Sequence, residues 1–310
     1  MGHCVHGASG LCVKAGVECY QDGLHKKEPN MTLEDYCWIV DQCKGKMFQI
    51  ALGGRGDPEM HEHFEAILSY SRENDIVPNM TTSGFGLTPE KADLMKKYCG
   101  AVAVSWYRSQ YTLEAIKLLV DKGVKTNIHF VLGNNSINEA YHLLTEHLLP
   151  EGINRIIFLL HKPVGLGTSS NVLNASDPKV REFFGLFNEE KYCEMAGFDS
   201  CCVPGLINYS PNIHPDSIDT CEGARYSAYI TPDLKMTPCS FDQEMKWSYD
   251  LKGHTIEEAW ESRPFEAFRT VLKTACPNCS QKSKCLGGCP IKREIVLCHK
   301  YQEGNNENKK

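Results

Sequence analysis

The chain has 310 residues, 42% of them apolar, and a net charge of −6. That length suits about two domains with buried cores, and an acidic balance without a basic stretch excludes a nucleic-acid surface. The longest apolar runs, such as Ile156 to Leu160, fall far short of a membrane span. Sixteen cysteines imply a reducing interior, which makes the cytoplasm, plausibly an anaerobe's, the expected location.

From about residue 30 to residue 190 the pattern alternates between strands and helices. Thr32 before Leu33-Glu34-Asp35 reads as a helix N-cap, and so does Thr88 before Pro89. Met47 to Leu52 is a short apolar run ending at Gly53-Gly54, the mark of a buried parallel strand. Val77 to Thr82, Ala101 to Trp106, Thr126 to Leu132 and Arg155 to Leu160 follow as strands, the last of the series. Between them, Phe64, Ile67, Leu68 and Tyr70 recur at helical spacing, as do Leu113, Ile116, Leu119 and Val120. Crossovers of this length build a parallel sheet or barrel, whose ligands gather at the strand ends.

The strand ends carry Gly53-Gly54-Arg55-Gly56-Asp57-Pro58, Thr81-Thr82-Ser83-Gly84, Val104-Ser105, and a loop with His161, Gly165 and Gly167. Asn127 and His129 stand two apart on one strand and so share a face. Near the C-terminus, Cys276-x2-Cys279-x5-Cys285-x3-Cys289 is followed by Cys298 and preceded by Cys221 and Cys239. Seven thiols at short spacings, with Gly287 and Gly288 permitting tight turns, fit two four-thiolate iron–sulfur sites better than one zinc. Disulfides fit poorly, since no signal-peptide pattern is present. Cys37, Cys43, Cys99 and Cys193 lack ligand partners nearby in sequence and read as small buried apolar residues.

The seven-cysteine run resembles the SPASM domain, the twin-cluster C-terminal extension of many radical S-adenosylmethionine (radical SAM) enzymes, over roughly the last third of the chain. Leu234 stands where that family has a hairpin glycine, at a cost of about 1 kcal/mol if its φ is positive. The resemblance implies an α/β fold: a partial (β/α)6, TIM-like radical SAM barrel, short at its N-terminus, over residues 1–200. A small iron–sulfur-stapled SPASM domain follows at 201–301, and a disordered tail at 302–310.

It further implies S-adenosylmethionine and three [4Fe-4S] clusters, one catalytic and two auxiliary. Gly53, Gly54 and Asp57 stand for the family's Gly-Gly-Glu-Pro turn, with Arg55 in the usual Glu position. Ser83, Ser105, Asn127 and His129 complete the expected cofactor pocket. Cys289 groups with Cys221 and Cys239 at the first auxiliary cluster, joined by Cys201 or its neighbour Cys202, with Cys201 preferred. Cys276, Cys279, Cys285 and Cys298 hold the second.

The family's catalytic Cys-x3-Cys-x2-Cys loop has no regular counterpart. Cys19-Tyr20-Gln21 matches its end, but Gly16 stands where the middle Cys belongs; a second register ends at Cys4 and places the first Cys upstream. Either Cys4, Cys12 and Cys19 form an unusual ligand set, or the chain is N-terminally incomplete, or the catalytic cluster is defective.

The implied activity is reductive cleavage of S-adenosylmethionine to a 5′-deoxyadenosyl radical, hydrogen abstraction from a peptide, and oxidation through the auxiliary clusters. Leu160 to Gly167 most resembles maturases of Cys-rich ribosomal peptides, so a thioether crosslink in a Cys-rich peptide is expected. The implied partners are a reductant such as flavodoxin or ferredoxin and a separate leader-binding protein, with no nucleic acid or membrane. Formylglycine formation of the sulfatase-maturing type, with Asp57, His129 or His161 as proton acceptor, is one alternative. A catalytically silent iron–sulfur peptide-binding partner is the other.

Overall fold

The computed structural model describes residues 19–21 and 29–298. The ligand candidates Cys4 and Cys12 and the tail 302–310 lie outside the described residues. Six strands lie side by side in chain order, every pair parallel: β1 (Gln49–Leu52), β2 (Val77–Thr82), β3 (Val102–Ser105), β4 (Thr126–Leu132), β5 (Arg155–Leu160) and β6 (Ala196–Phe198). The result is an open half-barrel. The series does not end at Arg155–Leu160 as the sequence pattern indicates. Ala196-Gly197-Phe198 is too short to show a period, and its strand conformation comes from pairing along β5.

The helices before and between the strands are α1 (Leu33–Cys43), α2 (Phe64–Glu73), α3 (Pro89–Tyr98), α4 (Gln110–Asp121), α5 (Ile137–Thr145), α6 (Pro178–Gly185) and α7 (Glu190–Met195). Thr32 caps α1 by accepting from the Asp35 N–H at 3.0 Å, and Thr88 caps α3, with Pro89 in its first turn. The period-two alternation of β4 separates the two faces of the sheet. Ile128, Phe130 and Leu132 are fully buried against helix residues including Ile116, Leu119 and Leu144, whereas Asn127 and His129 are half-buried and Val131 is exposed on the hollow side. In α4 the buried stripe is Ala115, Ile116 and Leu119; Leu113, at compatible spacing in sequence, lies on the solvent side at 43% exposure.

Past β6 the chain forms α8 (Val203–Tyr209), an antiparallel sheet of β7 (Tyr229–Ile230), β8 (Lys235–Thr237) and β9 (Tyr249–Asp250), and the helices α9 (Ile256–Trp260), α10 (Arg263–Thr274) and α11 (Lys282–Cys285). Leu234 occupies the β7–β8 turn with φ 64°, and its N–H donates to the Thr231 carbonyl at 3.0 Å. Met236, Trp247, Leu251, Phe265, Phe268 and Leu272 form a second core. Cys202, Leu206, Cys289 and Ile295 to Leu297 pack into the half-barrel's own core, so the C-terminal segment is anchored directly on the barrel. Among the described residues no helix is long and apolar enough to cross a membrane.

Candidate functional site: the barrel mouth and two thiol sets

The loop after β1 turns through Gly54 and Gly56, both at positive φ. Arg55 points inward. It is buried, and its Nη2 donates to the Gln21 carbonyl at 2.7 Å, holding the Cys19–Gln21 segment to the barrel. Asp57 takes the backbone N–H and the hydroxyl of Ser83, each at 2.6 Å, and so pins the β1 loop to the β2 loop.

Pro58 then opens a single helical turn that carries Glu59 inside. The Thr82 hydroxyl donates to Oε1 of Glu59, while Oε2 of Glu59 is buried with no hydrogen-bond partner among the described residues. Burial, followed by the charge of Asp57, pushes the Glu59 carboxyl up to about 7. Glu59 belongs to no motif in the sequence. Its signal was a second acid two residues beyond Asp57, across a proline that forces the chain to turn.

Ser105 ends β3 directly opposite His129 in register. His129 Nδ1 lies 3.3 Å from the Thr81 hydroxyl, and burial lowers its imidazole to about 4 against an opposing pull from Asp199. It is therefore neutral at neutral pH. Asn127 lies two residues deeper on the same face, its side-chain oxygen accepting from Asn154 Nδ2 at 2.7 Å. His161 is buried, and its Nε2 donates to the Thr168 carbonyl at 2.9 Å. Gly53, Gly54, Asp57, Ser83, Ser105 and His129 thus gather at the strand ends or the hollow face beside them, with Asn127 below.

The eight expected C-terminal thiols fall into two sets. In the first, the Cys201 and Cys289 thiols hydrogen-bond each other, and Cys221 and Cys239 feel the charge of Cys289. Burial raises Cys221 to about 11 and Cys239 to about 12. The Cys201 contact, backbone N–H donors and Lys162 lower Cys289 to about 6. Cys202 is fully buried and turns away, its Sγ lying 3.8 Å from the Phe158 carbonyl.

In the second set, Cys276 interacts with Cys279 and Cys298, and Cys285 with Cys298 and Cys276. Left-handed backbone at Leu286, Gly287 and Gly288 wraps the chain around this set, and a Cβ on Gly287 would stand 2.4 Å from Ala275 Cβ. Backbone N–H groups reach sulfur in both sets: those of Gly287 and Gly288 bond Cys285, and that of Lys292 bonds Cys289 at 3.3 Å. All-sulfur donors with amide N–H bonds to the sulfurs are the environment an iron–sulfur cluster needs. Among the described residues no three His, Cys, Asp or Glu side chains are placed to hold a single metal ion.

Lys162, just past β5, is buried between the barrel mouth and the first thiol set. Its Nζ donates to the Leu160 carbonyl and to Asp199 Oδ2, both at 2.9 Å, and lies 4.3 Å from the centre of the Phe241 ring. Burial alone would lower its pKa, but Asp199 and the neighbouring thiols hold it raised, so it stays an ammonium. Cys37, Cys43, Cys99 and Cys193 lie outside both sets, each half-buried with its thiol raised by burial.

Residues 221–285 match SPASM, an iron–sulfur cluster-binding domain family. The fold is similar to that of Streptococcus suis SuiB bound to S-adenosylmethionine, with a TM-score of 0.69 and 15% identity over 88% of this chain and 70% of that one. It is also similar to native anSMEcpe with bound AdoMet and Cp18Cys peptide, with a TM-score of 0.67 and 17% identity over 94% of this chain and 91% of the other. A third is SuiB bound to the precursor peptide SuiA, with a TM-score of 0.69 and 15% identity over 91% and 72% of the two chains. The chain therefore shares the fold of SuiB and anSMEcpe, and its residues 221–285 match an iron–sulfur cluster-binding domain.

Proposed function

We propose that this chain is a radical SAM enzyme that oxidises a peptide, forming thioethers in a Cys-rich substrate. The observation that carries the proposal is the proximity of the first thiol set to the barrel mouth, across Lys162 and Phe241. A substrate in the hollow would then touch both the site of hydrogen abstraction and the site of electron removal. Similar folds are described with a precursor peptide and with the Cp18Cys peptide, which supports a peptide occupant.

In this reading Cys19, with Cys4 and Cys12, holds the catalytic cluster; Cys201, Cys221, Cys239 and Cys289 hold the first auxiliary cluster, and Cys276, Cys279, Cys285 and Cys298 the second. Carbonyls of Gly53 and Gly54 and the carboxylate of Asp57 would hold the cofactor's methionine group, and Ser83, Ser105 and His129 would line the rest of its pocket. When bound, these groups supply a hydrogen-abstracting radical and an acceptor for the released electron. The protein's own work is positioning. Asp57 and Ser83 fix two loops relative to each other, neutral His129 adds no charge to the hollow, and Arg55 holds the Cys19 segment in place.

A thioether requires that carbon lose a hydrogen atom and the thiol lose a proton and an electron as sulfur bonds carbon. Cleaving the cofactor would draw its electron from a low-potential reductant such as flavodoxin or ferredoxin in a reducing cytoplasm. Mass spectrometry of a Cys-rich peptide after reaction and alkylation tests this. The expected product is lighter by two hydrogens per crosslink and has one thiol fewer to alkylate. A product in which sulfur is replaced by an aldehyde oxygen, trapped by a hydrazine, would instead establish formylglycine chemistry.

A further inference from the structure

Lys162 is an expensive residue to keep where it is. An ammonium taken out of water loses several kcal/mol of hydration, and a buried ion pair is often no more stabilising than the apolar residues that would fill its place. Lys162 is only 6% exposed, yet it sits at the end of β5 with donor contacts, among the described residues, to the Leu160 carbonyl and Asp199. Asp199 is itself only half compensated, because its Oδ1 is buried with no hydrogen-bond partner among the described residues. The pair is tied to the first thiol set on two sides. Asp199 precedes Cys201 by two residues, and Phe241, whose ring covers the ammonium at 4.3 Å, follows Cys239 by two. The charge of Lys162 acts on the thiols of Cys201, Cys239 and Cys289, whereas that of Asp199 is felt at Cys201 and Cys202. The ammonium is thus the end of the pair turned toward the set.

We propose that Lys162 sets the reduction potential of the first four-thiol site. When that site takes up one electron its negative charge rises by one. A fixed positive charge beside it, screened from water by Phe241, favours the reduced form. No proton moves, and Lys162 is an ammonium in both states. The inference rests on reading the set as an iron–sulfur site, and it adds a residue that ligates nothing yet decides how readily the site accepts an electron.

The test is a potentiometric titration, followed by electron paramagnetic resonance, of anaerobically reconstituted full-length protein. The signal lost in Cys221→Ala identifies the first site. Lys162→Arg should keep the wild-type potential. Lys162→Met leaves the Asp199 carboxylate unpaired, so Lys162→Met/Asp199→Asn is made beside it. In both, the first site should be at least tenfold less reduced at the wild-type midpoint, a shift of about 59 mV for one electron. An unchanged midpoint in a fully loaded double variant overturns the inference, and so does a double variant that no longer loads iron at this site, which would make Lys162 scaffolding. Wild-type protein that binds no sulfide overturns the cluster reading itself, a distinguishable result.

Discussion

The rings of Tyr20 and Phe241 meet at a tilt of 31° with centroids 4.4 Å apart, joining the residue after Cys19 to the loop after Cys239. The segment that carries Cys19, a candidate cluster ligand, therefore rests on the loop that follows Cys239 of the first thiol set. The barrel supports it from the other side: the Leu166 N–H donates to the Cys19 carbonyl at 2.9 Å, and Arg55 donates to that of Gln21.

Gly165 permits that docking. Its φ is +62°, and a Cβ there would stand 2.5 Å from the carbonyl oxygens of both Cys19 and Tyr20. Gly165→Ala should displace the Cys19 segment and lower the iron bound by reconstituted protein by one cluster, with both C-terminal sites still loaded. Iron and sulfide counts beside wild type check this, and equal counts refute it.

Cys201 and Cys202 should respond oppositely to substitution. Cys201→Ala removes a thiol that touches Cys289 and should empty the first site. Cys202→Ala removes a fully buried sulfur from the barrel core and should cost about 1 kcal/mol of stability with iron content unchanged. Iron counts and thermal midpoints of the two variants separate these outcomes.

Glu59 makes stability depend on pH. Its folded pKa of about 7 lies above the ordinary 4.5, so its contribution is fully present below the lower value and is lost as pH rises through the upper one. At about 1.4 kcal/mol per tenfold, the loss is on the order of 3 kcal/mol at most. Glu59→Gln keeps an oxygen for Thr82 and removes the charge. The variant should match wild type at pH 5 and exceed it increasingly toward pH 8 in thermal unfolding; parallel curves would show that Glu59 does not titrate there.

The β7–β8 turn holds two opposed effects at Leu234. Its left-handed φ of 64° costs about 1 kcal/mol relative to glycine, yet its side chain packs on the second core. Leu234→Gly should leave the thermal midpoint nearly unchanged, because relief of strain and loss of packing are similar in size. A drop as large as that of a core truncation would mean that packing alone decides.

The strands from Val77 to Leu160 were legible because alternation or a continuous apolar run marks each one, and caps such as Thr32 mark helix starts with a hydroxyl that has one local task. The same signals failed where tertiary contact decides. Ala196–Phe198 is a strand only through β5, and Leu113 and Ile116 are told apart only by which side of α4 meets the sheet. Cysteine spacing brought the thiols to notice, but nothing in the adjacent pair Cys201-Cys202 says which one faces Cys289. Glu59 and Lys162 escaped because a buried charge is defined by its surroundings, and those are assembled from distant segments.

The most direct test of the account is the formation of 5′-deoxyadenosine from S-adenosylmethionine by dithionite-reduced, reconstituted protein, with wild type and Cys19→Ala side by side. Wild type should form it even without peptide, and the variant should form none, since the Cys19 segment would have lost its thiolate. Equal formation by the two, or none by a wild-type protein with all its clusters loaded, would contradict the account.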